Sequence, residues 1–330
     1  MEFMIQRLID FYQKSMSIPG EISEMWIDIL QYHGRSLNDA LRRGDNTAVQ
    51  AIFDLPPELM LSLHGLDSPI PEYWGKKITS DDFRHLGRRI GVVPIYHPLN
   101  PSPDENWNPN DGIELRRQIE EVIGSMRVQN GFIFKDNEHC IPYTYFSKLA
   151  QWFTIQSILD SPPTPAFKVL EIGAGTGGFA LAAFNGGVRD YTIIDIPTIA
   201  VQSAYFLSKA LGEDIMWLDG ESPNPNAMFR WFSCLDYERA KTKYELIANI
   251  NSFPEMTIAN QDGYIRFIHE CLTKNGMFYS CNHESNLPLA GTVQSSVRSA
   301  INRHGGYRAI YRAPFMLRAG YIEEIYKLKN

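Results

Sequence analysis

Glycines at 173, 175, 177 and 178 stand inside VLEIGAGTGGFA, Val169 to Ala180, with an acid, Glu171, two positions before the first of them. An apolar run that passes directly into glycines and then into GGFALAAF predicts a tight turn at a helix N-terminus, where unpaired amides and missing β-carbons let a ligand approach the backbone. Nucleotide-like ligands use that geometry. The letters Gly173, Gly175 and Gly178 also satisfy GxGxxG, so a dinucleotide is a candidate at this point. Two more acids close later apolar runs: Asp195 ends YTIID, and Asp219, followed by Gly220, ends DIMWLD. A carboxylate offers two acceptor oxygens, a good match to a pair of ribose hydroxyls.

A second set of polar residues follows two further runs. YELIANINSFPEM delivers Asn249, Asn251, Ser252 and Glu255, and GMFYSCNHESN delivers Asn282, His283 and Glu284. A neutral imidazole can take a proton from a weakly acidic hydroxyl, which makes His283 the first choice for a general base. The ordinary alternative is a loop histidine that hydrogen-bonds backbone. Glu255 orients His283, takes the proton itself or binds acceptor hydroxyls; otherwise it is an acid at a helix start after Pro254. Asn251, Ser252 and Asn282 either hydrogen-bond a substrate or hold loop backbone in place.

These positions need a scaffold, and the chain's patterning supplies one. KVLEI, YTIIDI, DIMWLD, YELIANI, GMFYSCN and GYIEEIYKL are short apolar, β-branched or aromatic runs separated by helix-like stretches. That alternation predicts an α/β domain, a doubly wound and mostly parallel sheet over residues 166–330, with ligands beyond the carboxyl ends of the strands. Residues 1–160 read as a mostly helical N-terminal region, and SPPTP, Ser161 to Pro165, marks the boundary. The helical pattern is interrupted by VVPIYHPLNPSPDENWNPNDG, a proline-rich loop or lid in which His97 could reach an acceptor. Arg84, Arg88 and Arg89 form either a phosphate site or a solvated helix face, and Tyr143 and Tyr145 line a sugar platform or make core contacts.

The 330 residues, 44% hydrophobic and 21% charged, suffice for a sizeable core. With 31 basic against 38 acidic residues the formal net charge is −7, so no overall pull toward nucleic acid or anionic membrane is expected. No run of about 18 apolar residues predicts a membrane span. Cys140, Cys234, Cys271 and Cys281 lack CxxC or metal-type spacing and read as reduced thiols. The opening MEFMIQRLIDFYQKSM has neither the basic start nor the unbroken apolar stretch of a secretion signal, so a cytoplasmic location is expected.

EIGAGTG, Glu171 to Gly177, resembles the first motif of class I S-adenosylmethionine methyltransferases, E/D-x-G-x-G-x-G, at every constrained position. NAD-binding turns generally place an apolar residue where Glu171 stands. The resemblance implies a Rossmann-like, seven-stranded methyltransferase sheet. It places Glu171, Gly173, Gly175, Asp195, Asp219, Gly220 and Asn249 at the cofactor, with Glu171 near the methionine moiety, Asp195 on the ribose and Asp219 on the adenine. LEIGAGTGGFA, YTIIDIPT, NINSFPEM and a late NHES together are similar to the sugar O-methyltransferase family, over roughly the C-terminal half of the chain.

That family implies transfer of a methyl group to a sugar hydroxyl, on a nucleotide sugar, a glycan or a glycosylated metabolite. His283 and Glu255 would serve catalysis and Asn251, Ser252 and Asn282 the acceptor, with the helical N-terminus shaping the acceptor pocket and a homodimer contact. A phenolic or other natural-product acceptor is the alternative, as is a non-catalytic cofactor-binding subunit. A divalent metal could bind vicinal hydroxyls, but no ligand cluster is evident from the spacing of Glu255, His283 and Glu284.

Overall fold

The computed structural model describes residues 2–20, 22–32, 34–54, 85–88, 143–284, 295–318 and 320–329. Four helices open the described chain: α1 (Glu2–Met16), α2 (Glu24–Tyr32), α3 (Arg35–Arg43) and α4 (Asn46–Phe53). Local signals set two of these boundaries. Asp45 caps α4 by accepting from the Ala48 amide at 2.9 Å, and Gly44, at φ 68°, ends α3 in the left-handed conformation that glycine adopts without a Cβ penalty. On α1, Met4, Ile5, Leu8, Ile9, Phe11 and Tyr12 recur at three- and four-residue spacing and are all buried. At roughly 1.5–3 kcal/mol for each fully buried large apolar side chain, that face ties α1 to the sheet rather than leaving it an appendage.

After α5 (Tyr143–Gln156) strands and helices alternate: β1 (Lys168–Ile172), α6 (Gly178–Asn185), β2 (Asp190–Asp195), α7 (Pro197–Leu211), β3 (Met216–Leu218), β4 (Phe229–Ser233) and β5 (Tyr244–Ile250). The chain continues with α8 (Ile258–Cys271), β6 (Leu272–His283), α9 (Val297–His304), β7 (Tyr307–Pro314) and β8 (Tyr321–Leu328). One eight-stranded sheet results, in the order β3-β4-β2-β1-β5-β6-β8-β7. The pairs from β3 to β6 are parallel, and β8 runs antiparallel to both β6 and β7. Along β1, Val169 packs in one apolar cluster with α1, α5, α6 and α7, while Leu170 and Ile172 pack in the other with α8 and α9. Burial on both faces is why these strands read as near-continuous apolar runs.

One feature corrects the sequence reading. The sheet has eight strands among the described residues, not seven, and β4 and β7 are the ones the apolar runs did not reveal. Both carry arginine inside the strand, Arg230 in FRWFS and Arg308 and Arg312 in YRAIYRAP. β7 is an edge strand with its outer positions exposed, and Arg230 is neutralised at 2.6 Å by Asp190 of β2. The N-terminal helices and α5 share one core with the sheet. Leu8, Phe53, Trp152 and Ile193 belong to a single buried cluster.

Candidate active site

The glycine turn leaves β1 at the point where the strand order reverses, between β2 and β5, where open α/β sheets form their ligand crevice. Gly173, Gly175 and Gly177 have φ of 78°, 58° and 80°, values that an L side chain rarely adopts. The Gly173 amide donates to the Ile194 carbonyl at 2.8 Å, which folds the turn back over β2. A Cβ on Gly173 would stand 2.2 Å from Ser252 Oγ, whereas one on Gly175 would meet nothing within 4 Å. Gly173 therefore serves close packing, and Gly175 presents open backbone. Asp195, at the end of β2, accepts from the Gly175 amide at 3.0 Å and from the Ile196 amide at 2.8 Å. Burial pushes its carboxyl up to about 7, against the opposing pull of these amides and that of Ala174. Asp195 braces the turn, and its oxygens keep further lone pairs for ribose hydroxyls.

Glu171 lies beneath the turn and is 1% exposed. Tyr191 donates to its Oε2 at 2.7 Å, while Oε1 is buried without a hydrogen-bond partner among the described residues. Desolvation pushes this carboxyl above the usual range, and the nearby Lys148 ammonium of α5 draws it back. A buried acceptor without a donor is costly unless a ligand completes it. A cationic group that can donate a hydrogen bond suits Oε1, and the amino-acid end of the sulfonium cofactor expected from the sequence carries one.

Asn249, Ser252 and Asn282, three residues assigned to ligands by the sequence, are instead committed to one another. Asn249 Nδ2 donates to the Ile172 carbonyl at 2.8 Å and to Ser252 Oγ at 2.5 Å, and its Oδ1 accepts from the Phe253 amide and from Asn282 Nδ2. Asn282 Nδ2 also reaches Ser280 Oγ at 2.9 Å, and its Oδ1 accepts from the Ser252 amide at 3.1 Å. Ser252 Oγ donates to the Ile172 carbonyl at 3.1 Å. The network ties the ends of β1, β5 and β6 into a floor. Asn251 differs: it sits at φ 62°, strained for a non-glycine residue, and its Oδ1 is buried without a partner among the described residues. It remains the substrate-binding candidate of this segment.

Asp219 and Gly220 follow β3, the outermost strand, and not the strand beside β2. Asp219 is paired with Lys14 at 3.0 Å and Arg239 at 2.8 Å. Both residues line a cavity of about 820 Å³ between α1 and the sheet edge, and no residue of the glycine turn lines it. The strand that does neighbour β2 is β4, and it leads into a 3-10 turn, Cys234–Ala240, containing half-buried Asp236. The strand end beside β2 therefore carries Asp236, not Asp219. Strand order is not carried by the run of letters.

On the other side of the turn, Glu255 lies in a 3-10 turn, Phe253–Glu255, and His283 ends β6. Burial pushes the Glu255 carboxyl up to about 8, opposed by a hydrogen bond from Trp26 Nε1 to its Oε2 at 3.1 Å and by Arg318. Burial and the same Arg318 hold His283 below the usual imidazole range. His283 faces Tyr321 across the β6–β8 pair with ring centroids 5.8 Å apart, and the Arg318 guanidinium lies 3.9 Å from the Tyr321 ring centroid. Trp26, Arg318, Tyr321 and Lys148 were not among the sequence candidates, because only folding brings them to β5 and β6. Glu284 pairs with Arg312 at 2.6 Å, which argues against a metal site shared with Glu255 and His283. Arg84, Arg89, His97 and the side chains of Tyr143 and Tyr145 lie outside the described residues.

The sequence matches no protein-family model and no curated protein. Similar folds occur among solved structures. The mitomycin 7-O-methyltransferase MmcR is 12% identical over 88% of this chain and 84% of its own, with a TM-score of 0.44. A SAM-dependent methyltransferase from Leishmania major is 14% identical over 57% of this chain and 74% of its own, at 0.43. The glycopeptide N-methyltransferase MtfA, complexed with S-adenosylmethionine, is 11% identical over 56% of this chain and 94% of its own, at 0.41. Identities this low give no residue correspondence, so the roles considered below come from this chain's own geometry. No described helix is long and apolar enough to cross a membrane.

Proposed function

We propose that the protein is an S-adenosylmethionine-dependent O-methyltransferase whose acceptor is a sugar hydroxyl. The observation that carries this reading is the buried Glu171 carboxylate, with one oxygen unpartnered, beneath an open glycine turn braced by Asp195. An acid at that depth favours a cationic amino-acid end and opposes a pyrophosphate, which sets the sulfonium cofactor above a dinucleotide. In this reading Asp195 and Gly175 hold the ribose side, and the end of β4, with Asp236, takes the adenine.

The bound cofactor supplies a methyl group on a positively charged sulfur. The chain's own residues hold the acceptor in line and remove its proton. His283 is neutral near pH 7, since burial and Arg318 both depress it, and a ring nitrogen can accept the hydroxyl proton. Glu255, raised to about 8, is largely protonated at the same pH and acts as a hydrogen-bond donor to the acceptor. Carboxyl, imidazole and the rings of Trp26 and Tyr321 suit a sugar, which presents hydroxyls at its rim and C–H groups on its face. The same rings also favour a second reading, a phenolic acceptor.

Calorimetry with S-adenosylhomocysteine and with NAD separates the cofactors; binding of NAD alone would overturn the proposal. Transfer from labelled cofactor to panels of nucleotide sugars, glycosides and phenols then separates the acceptors. In His283→Ala, turnover is expected to fall roughly tenfold or more with cofactor affinity near wild type. Failure of every acceptor would favour a non-catalytic binding subunit.

A further inference from the structure

The cavity of about 820 Å³ between α1 and the outer edge of β3 has no part in the chemistry above. Carboxylates dominate its wall: Asp10, Glu213, Asp214, Asp219 and Glu221. Its cations are Arg7 and Lys14, and both are already spent on those acids. Arg7 donates to both oxygens of Glu221, at 2.5 and 3.0 Å, and Lys14 pairs with Asp219 at 3.0 Å. Asp10, Glu213 and Asp214 close no ion pair among the described residues. Asp219 is 6% exposed and only half satisfied. Lys14 and Arg239 both bind its Oδ2, while its Oδ1 is buried without a partner among the described residues. A buried carboxylate oxygen that lacks a donor is costly, and a positively charged donor from the cavity would remove that cost.

We propose that this cavity is a second ligand site, for a linear polyamine, in which an ammonium group completes Asp219 Oδ1 and further ammonium groups meet Glu213 and Asp214. Phe3, Phe11 and Met216 give the same cavity an apolar wall for the methylene chain, and the Phe3 ring is 74% exposed. Charge and shape both select this class. An anion would meet two cations whose charge Glu221 and Asp219 already cancel. A metal ion is a poorer match, because no group of three His, Cys, Asp or Glu side chains among the described residues is placed to hold one. The volume falls in the range of small-molecule sites, about 300–1,000 Å³. The site stands apart from the cofactor crevice, since β4 and β2 separate β3 from the glycine turn after β1.

Calorimetry with spermidine at physiological ionic strength is the test. Wild type is expected to bind it, and the double variant Glu213→Gln/Asp214→Asn to bind it roughly tenfold or more weakly through lost charge-assisted contacts. Phe3→Ala should weaken it by roughly threefold through the methylene chain. Asp219→Asn should weaken it as much as the double variant does, and the double variant carries the test if Asp219→Asn fails to fold. Asp262→Asn/Glu270→Gln removes two acids of α8, which packs on the other face of the sheet, and should bind as wild type. Equal weakening in that variant would reduce the effect to overall charge and overturn the inference. No binding by wild type, full affinity in Glu213→Gln/Asp214→Asn, or displacement of spermidine by an equal concentration of magnesium would also overturn it. None of these outcomes bears on the cofactor reading, which S-adenosylhomocysteine tests separately.

Discussion

The indole Nε1 of Trp26 donates to Glu255 Oε2 at 3.1 Å, across 229 positions of chain. It joins α2 to the turn after β5, and it is the hydrogen bond that fixes one oxygen of this carboxyl while the other remains for an acceptor. In the proposed reading the N-terminal helices thus take part in the site's chemistry as well as in its walls. Arg318, Tyr321 and Asp195 are the other groups acting on Glu255, so its titration reports on several elements at once.

Trp26→Phe keeps an aromatic ring and removes the donor. Because that donor stabilises the ionised carboxyl, its loss should raise the Glu255 midpoint above about 8. Carbon-13 NMR of labelled glutamate carboxyls, with Glu255→Gln to assign the signal, reads the midpoint directly. A midpoint equal to wild type would mean that the bond does not form in solution.

Asp195 and Glu255 titrate near 7 and 8 in the folded chain and near 4 when unfolded, so between those limits the folded state holds more protons. Stability of the ligand-free protein should therefore fall as pH rises from about 4 to about 8, each carboxyl contributing at most about 1.4 kcal/mol per pH unit. Asp195→Asn should flatten that slope in thermal melts at a series of pH values. Affinity for S-adenosylhomocysteine should run the other way through Asp195, falling as pH drops below about 7, because the ribose needs the ionised form. Flat melts and flat affinity would show that Asp195 is ionised throughout.

Gly173→Ala and Gly175→Ala separate packing from approach. Both residues have positive φ, which costs an alanine on the order of 1–2 kcal/mol. Gly173 adds a collision with Ser252 Oγ at 2.2 Å, so its variant should melt distinctly lower. Gly175→Ala meets no atom and should retain more stability while weakening cofactor binding by closing the open backbone. Equal melting temperatures would contradict this division.

Strand order makes a prediction about acids. Asp236→Ala, altering the end of β4, should weaken S-adenosylhomocysteine and methylthioadenosine alike, since both carry adenine. Asp219→Asn loosens the contacts to Lys14 and Arg239 at the sheet edge and should leave both affinities near wild type. The reverse outcome in calorimetry would return the adenine to Asp219.

By itself the sequence determined the doubly wound architecture, the glycine turn and the placing of Glu171 and Asp195 beside it. These are local properties: apolar runs buried on both faces, and glycines where φ must be positive. Tertiary structure alone decided which strand stands beside β2, and so that Asp236 rather than Asp219 follows that strand. It also decided that Asn249, Ser252 and Asn282 are spent on one another, while Glu171 keeps a free oxygen. Whether a polar side chain is available to a ligand depends on which partners folding brings to it. Trp26 at Glu255 and Lys148 near Glu171 come from helices whose sequence distance from the sheet carries no mark of that proximity.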